Sequence, residues 1–242
     1  MKLTDIITLV RLLPKSIYFN FHYLSFSQAR KLPVIFLSNI KLGAMKGSIS
    51  FSSPIHSGMV RFGGGNNALY PTTQKCGWSN FGGKVIFGNK VYLSKGSALE
   101  IGLNAKLVIG NNVYIGVQNK IACYESVSIG DNTETSWEIV LTDTDFHSLV
   151  ERDSGNRTQM TRPVKIGKNN WIGIRTIILK GTKTPDFCTA SAGSMLNKHY
   201  DIPSYSIIGN PTAHLKKEGY YLDVKTHVNN IQYKKLNRLH SL

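Results

Sequence analysis

The chain has 242 residues, 41% of them hydrophobic and 18% charged, which is enough for one domain with a real core and gives no reason to invoke several. Lysine and arginine outnumber aspartate and glutamate 29 to 14, and the formal net charge of +15 favours anionic partners over cationic ones without choosing among them. Cys76, Cys123 and Cys188 are odd in number, far apart and free of C-x-x-C spacing, which argues against a disulfide framework or a zinc site and fits a reducing cytosol.

In chain order, the first predicted element is a helix in residues 1–17, where Leu3, Ile6, Ile7, Val10 and Leu13 share one stripe and Pro14 ends it. Such a stripe packs on the body or caps its first turn; alternatively, with Lys2, Arg11 and Lys15 beside it, it lies on a membrane surface. Asp5 and Arg11 interrupt the apolar run, and no later stretch reaches the ~20 apolar residues that span a bilayer. Neither a signal peptide nor a transmembrane helix is therefore expected. Residues 34–84 hold β-favouring pieces such as SISF but no clean repeat, and GGGNN at 63–67 lacks the flanking strand and helix of a phosphate loop and reads as a turn.

From residue 85 aliphatic side chains recur every six positions: Val85, Val91, Leu103, Ile109, Ile115, Ile121 and Val127, with only Ser97 out of place. Chance would fill roughly two of eight such slots. The register resumes at Ile129 and Leu141, then at Ile166, Ile172, Ile178 and Leu196, with Thr184 and Ala190 weaker. A period of six excludes a helical face, which repeats at 3.6, and a plain strand, which alternates at two. Short strands joined at corners explain it: three hexads close one triangular coil, coils stack as parallel strands, and the aliphatic residue of each hexad points inward. Gly88-Asn89, Gly110-Asn111-Asn112, Gly130-Asp131-Asn132 and Gly167-Lys168-Asn169-Asn170 supply corners, since these residues accept left-handed backbone angles or cap turns. An ordinary β-sandwich would space its strands longer and less evenly.

Hexads break off near 142 and return at Ile166, so residues 142–165 form a loop leaving the prism, with His147 in the segment TDTDFHSLVERDSGNRTQM. Catalytic groups concentrate on loops held by rigid scaffolds. The segments VSIGDNTETSWEIVLTDTDFHS, PVKIGKNNWIGIRTIILKG, AGSMLNKHYDIP and GNPTAHLKK, within residues 85–217, resemble in order and spacing the hexapeptide-repeat acyltransferases. That family includes galactoside and maltose acetyltransferases and many polysaccharide O-acetyltransferases.

The resemblance, which covers 85–217, implies that the coil is left-handed, and with the patterns on either side the expected layout is an all-β, left-handed parallel β-helix over 34–217, a helical segment at 1–33 and a C-terminal extension at 218–242. It implies an enzyme that moves an acetyl group from acetyl-CoA to a sugar hydroxyl without metal or nucleic acid; the cysteines fit a cytoplasmic place, and the basic balance with the N-terminal stripe fits peripheral contact with the inner membrane face and a cell-surface polysaccharide precursor as acceptor. His147 takes the place of the general base. Asp143 or Asp145 either fixes its tautomer or merely caps a turn. Asn119 falls near an asparagine that contacts the acceptor. Trp171 and Gly173 border a pantetheine channel; Ala192, Asn197 and Lys198 meet the pantetheine or adenine end; Lys216 and Lys217 are phosphate contacts or plain solvated lysines. The family is usually trimeric, with sites shared between prisms. One departure stands out: Thr184-Pro185-Asp186-Phe187 replaces a further IG hexad, so a bulge is expected there.

Three other readings compete. A γ-class carbonic anhydrase needs three imidazoles around zinc, and the histidines at 22, 56, 147, 199, 214, 227 and 240 lack its H-x4-H pair. A non-enzymatic glycan-binding β-helix explains the charge but not the DTDFH loop. Acetylation of a small molecule such as serine, an antibiotic or a free sugar differs only in acceptor.

Overall fold

In the computed structural model the described residues are 3–64, 74–150, 152, 156–209 and 214–218. The chain winds through three sheets in fixed order. Sheet A holds Val34–Phe36, Val60–Phe62, Val91–Leu93, Tyr114–Ile115, Glu134–Thr135, Trp171–Ile172, Thr189–Ala190, Ile207–Gly209 and His214–Lys217. Sheet B holds Ile40–Met45, Cys76–Asn80, Ala98–Ile101, Lys120–Cys123, Val140–Thr142, Ile177–Ile178 and Met195–Leu196. Sheet C holds Ser48–Phe51, Lys84–Phe87, Lys106–Ile109, Ser126–Ile129 and Val164–Ile166. Each turn visits A, B and C once, and the strands of successive turns pair in parallel, so a triangular prism results.

Alternation along each short strand points Val85 and Phe87, Leu107 and Ile109, Val127 and Ile129 inward, all at most 2% exposed. Each such aliphatic or aromatic side chain contributes roughly 1.5–3 kcal/mol of transfer free energy. The six-residue register is less strict than the sequence implies. Register partners are Leu93 and Ile115, then Ile115 and Thr135, then Ile172 and Ala190, then Ala190 and Ile208, so the repeat shortens toward three pure hexads only after the loop. As a result Ser97 is wholly buried, donating to the Gly116 carbonyl at 2.6 Å, whereas Leu103 is 69% exposed on a widened corner. Thr184 and Ala190 do point inward, at 3% and 1% exposure.

The corners explain the Gly/Asn pattern. Between sheets C and A a left-handed residue recurs on each coil: Lys90, Asn112, Asn132, Asn169, Phe187 and Tyr205, with φ from 54° to 65°. Side chains there cap the neighbouring coil, as when Asp131 Oδ1 accepts from Asn111 N at 2.8 Å and Asp186 Oδ1 accepts from Lys168 N at 2.8 Å. The expected bulge at Thr184-Pro185-Asp186-Phe187 is absent. Asp186 takes over the capping role of Asp131, Phe187 adopts the corner conformation and stacks on Tyr205 at 4.5 Å, and Thr189 stays in register with Trp171.

Helix α1 (Leu3–Tyr23) runs through Pro14 instead of stopping there. Proline leaves the carbonyl four residues back without its donor, and residue 10 lies on an exposed face where water can serve. The buried stripe is Leu12, Ser16, Phe19 and Asn20; Val10 and Leu13 from the expected stripe are 63% and 37% exposed, and the side chains of Leu3, Ile6 and Ile7 lie outside the described residues. Phe19 enters the open end of the prism, 5.3 Å from Phe36 and 5.1 Å from Trp78. Asn20 pairs with both the N–H and the carbonyl of Val34, and Ser16 Oγ accepts from Phe36 N, so the helix satisfies an otherwise open strand edge. At the other end His214–Lys217 pairs antiparallel with Ile207–Gly209. The GGGNN turn beyond Gly64 and the tail beyond Glu218 lie outside the described residues.

Candidate active site

The loop leaves at the corner between sheets B and C, after Thr142, and rejoins at Val164. It is a ribbon. Antiparallel bridges join Thr144 to Thr161 and Val150 to Arg157, and Asp145 N donates to Met160 O at 3.0 Å. Lys180, on the next coil, pins both arms by donating to Asp145 Oδ2 and to Gln159 O, each at 2.5 Å. Phe146, at φ 61°, lays its ring edge-on to Tyr124 at 5.0 Å and turns the chain so that His147 stands in solvent on the outgoing arm.

The two expected aspartates have other partners. Asp143 is wholly buried, and its carboxylate accepts from Tyr124 N at 2.7 Å, Glu125 N at 2.8 Å and Ser126 N at 2.7 Å. That is the turn-capping alternative: the charge fixes the root of the loop and does not reach His147. Asp145 pairs with Lys180. Asn119 also departs from its expected role, being 2% exposed with Nδ2 on Thr135 Oγ1 and Oδ1 accepting from Ile139 N at 2.8 Å. It supports a corner from inside and cannot present itself to an acceptor without breaking that pair.

The remaining expected residues divide between two edges of sheet B. Trp171 is 41% exposed on sheet A, and Gly173 and Ala192 follow at the corner between A and B. Gly173 has a packing reason to be glycine, because a Cβ would sit 2.5 Å from Ala192 N. Asn197 and Lys198 are exposed at the corner between B and C, where Lys183 N donates to Lys198 O, on the same edge as Lys180 and the His147 loop. The ammonium of Lys198 lies 5.6 Å from the Tyr200 ring centroid. Lys216 and Lys217 belong to the antiparallel strand, but their side chains lie outside the described residues.

Sequence reasoning missed Lys180, which only spacing in three dimensions ties to the loop, and a shallow depression on sheet B lined by Ala98, Glu100, Lys120, Ala122 and Val140 beside the loop root. Small residues floor it, and burial, joined by the hydrogen bond that Tyr124 OH donates to Glu100 at 2.5 Å, pushes that phenol up to about 12. Burial also pushes the thiols of Cys123 and Cys188 up to about 12, so neither supplies a ready thiolate nucleophile. Among the described residues no group of His, Cys, Asp and Glu could hold a metal ion, and no helix is long and apolar enough to cross a membrane.

No protein-family model matches the chain. It is 32% identical over 113 residues to the galactoside O-acetyltransferase of Escherichia coli strain K12, covering 47% of this chain and 50% of that protein. It is 31% identical over 119 residues to a Mycobacterium tuberculosis protein named a probable acetyltransferase, covering 46% of this chain and 37% of that one. The chain thus spans half or less of the length of the curated relatives it matches. Among solved structures, that of the polySia specific acetyltransferase NeuO superposes over 83% of this chain and 98% of its own at a TM-score of 0.53 and 14% identity. The shared fold is the left-handed parallel β-helix.

Proposed function

We propose that the chain is a hexapeptide-repeat acyltransferase that moves an acetyl group from acetyl-CoA to a hydroxyl of a sugar, with His147 as general base. The observation that carries the reading is an exposed imidazole on a ribbon pinned by Lys180 at the edge where Asn197 and Lys198 also stand. A sugar hydroxyl is a weak nucleophile at neutral pH. A neutral imidazole accepts its proton as the oxygen bonds to the thioester carbonyl carbon, then returns the proton to the departing sulfur as the carbon–sulfur bond breaks. Buried thiols of raised pKa support direct transfer over an acyl-cysteine.

Trp171 and Ala192 on one edge and Asn197 and Lys198 on the other are proposed donor contacts, the lysine suiting an anionic nucleotide end. Because these residues occupy opposite edges of sheet B, a complete donor channel is best made between two prisms of a trimer around a threefold axis. Neither Asp143 nor Asp145 orients His147 within one copy, so that task falls to the acceptor or to a neighbouring copy. The acceptor is proposed to be a cell-surface or capsular polysaccharide or its precursor, acetylated in the cytoplasm. The exposed face of α1 would hold the enzyme to the inner membrane surface.

His147→Ala should lower turnover by about 10²-fold or more, the usual size of a general-base contribution, while calorimetric CoA binding stays near wild type. Wild-type turnover in that variant would overturn the assignment. The basic surface also suits a non-enzymatic glycan-binding protein, and tight glycan binding without CoA release in the presence of any polysaccharide, free sugar, serine or aminoglycoside would favour it.

A further inference from the structure

Sheet C presents a face unlike the other two. Its inward residues are aliphatic or aromatic, whereas the outward positions are Ser48, Ser50, Lys84, Ile86, Lys106, Val108, Ser126, Ser128 and Lys165. Lys84 pairs with Lys106 across adjacent strands, and bridges continue Lys165 to Lys183 and Lys183 to His199 on the next two coils. All four lysines and His199 are exposed, and none takes part in the three ion pairs found among the described residues. No acidic residue occupies an outward position on these strands. Carboxylates lie on the flanking corners: Asp131 is paired with Lys168, Asp186 accepts from Lys168 N, Asp145 is paired with Lys180, Glu125 precedes Ser126, and Asp201 follows His199 by two residues.

Like charges set directly opposite on neighbouring strands repel, and none of the ion pairs among the described residues offsets them. Lys84 and Lys106 share a column that ends on Ser126, and Lys165, Lys183 and His199 continue a second column from Ser128, two residues further along the strands, so with strands about 4.8 Å apart the basic residues extend over about 24 Å in two offset columns. We propose that sheet C binds an acidic polysaccharide, a chain with carboxylates on its successive sugars, along the stacking axis. Ammonium groups meet the carboxylates, and the hydroxyls of Ser126 and Ser128 meet the sugar oxygens between them. Two other polyanions fit less well. The face has no Phe, Tyr or Trp on which bases could stack, and its only apolar outward side chains, Ile86 and Val108, are half-buried and cannot insert into a bilayer. The corner between B and C, which bears the His147 loop, borders this face. The inference rests on the transfer reading only for what happens to the bound chain, which it names as the acceptor.

The test measures binding of the whole protein to polygalacturonate and to neutral dextran by calorimetry between 20 and 300 mM NaCl. Wild type should bind polygalacturonate, with log affinity falling linearly in log salt, and should ignore dextran. A variant with Lys84→Ser, Lys106→Ser, Lys165→Ser and Lys183→Ser, which repeats the serines already present in these columns, should lose at least about tenfold in affinity at low salt. A control with Lys31→Ser, Lys41→Ser, Lys75→Ser and Lys120→Ser on other surfaces should stay within about twofold. Equal losses in both variants would overturn the site. So would tighter ladder-dependent binding to phosphatidylglycerol vesicles or single-stranded DNA than to the glycan. Ladder-dependent glycan binding without CoA release from acetyl-CoA would uphold the inference and overturn the transfer reading instead.

Discussion

Asp143 shows how a single side chain can be essential to a site without touching it. Its carboxylate accepts from three successive backbone N–H groups, Tyr124 to Ser126, at the corner from which the ribbon departs. Truncation leaves three donors stranded in a partly buried turn, so Asp143→Ala should cost roughly 2–4 kcal/mol, measured by urea denaturation. An unchanged midpoint would show that water replaces the carboxylate freely. The sequence marks this neighbourhood clearly, because DTDFH stands where hexads stop. It does not assign roles within the segment, since an aspartate able to steady an imidazole and one able to cap a turn are the same letter. Asn119 is a similar case: its partners Thr135 and Ile139 lie 16 and 20 residues away and become neighbours only when coils stack.

At the level of elements, α1 has two faces with different duties. Phe19 fills the mouth of the prism against Phe36 and Trp78, and Phe19→Ala should destabilise the protein by about 3–5 kcal/mol in chemical denaturation. The opposite face exposes Val10, Leu13, Ile17, Tyr18 and Phe21, so Leu13→Ser with Ile17→Ser should change stability by less than about 0.5 kcal/mol each. The same pair should weaken cosedimentation with phosphatidylglycerol vesicles; undiminished vesicle binding would remove α1 from the membrane contact. Composition and spacing revealed the helix but misjudged its end. Pro14 is a breaker by local rules, and only contacts made far along the chain, Asn20 with Val34 and Ser16 with Phe36, hold the helix together beyond it. The hexads were legible for a converse reason, since parallel stacking repeats the same burial demand on every coil. Leu103 escaped because corner width can vary without disturbing the strands on either side.

For the molecule as a whole, a stack of coils is stabilised by neighbours on both sides, so its ends should open more often than its middle. Amides of Ile115 and Ile121 should exchange with deuterium at least about tenfold more slowly than those of Ile207 and Ile208. Uniform protection would mean that the prism unfolds as one unit. The assembly of prisms is the least legible level, because a threefold contact depends on outward residues that obey no inward repeat. One column of the stack carries a rule of its own. At the corner after sheet A the first coil has Leu37, and from the second coil on the chain reads Gly63, Ser94, Gly116, Ser136, Gly173, Ser191 and Gly209, an alternation from coil to coil. A Cβ on Gly116 would lie 2.0 Å from Ser136 O, and one on Gly209 would lie 2.6 Å from Ser191 Cβ. The spiral therefore has a parity: removing or duplicating one turn would bring two serines face to face or leave two glycines together, whereas a pair of turns could be gained or lost with the sequence still in step.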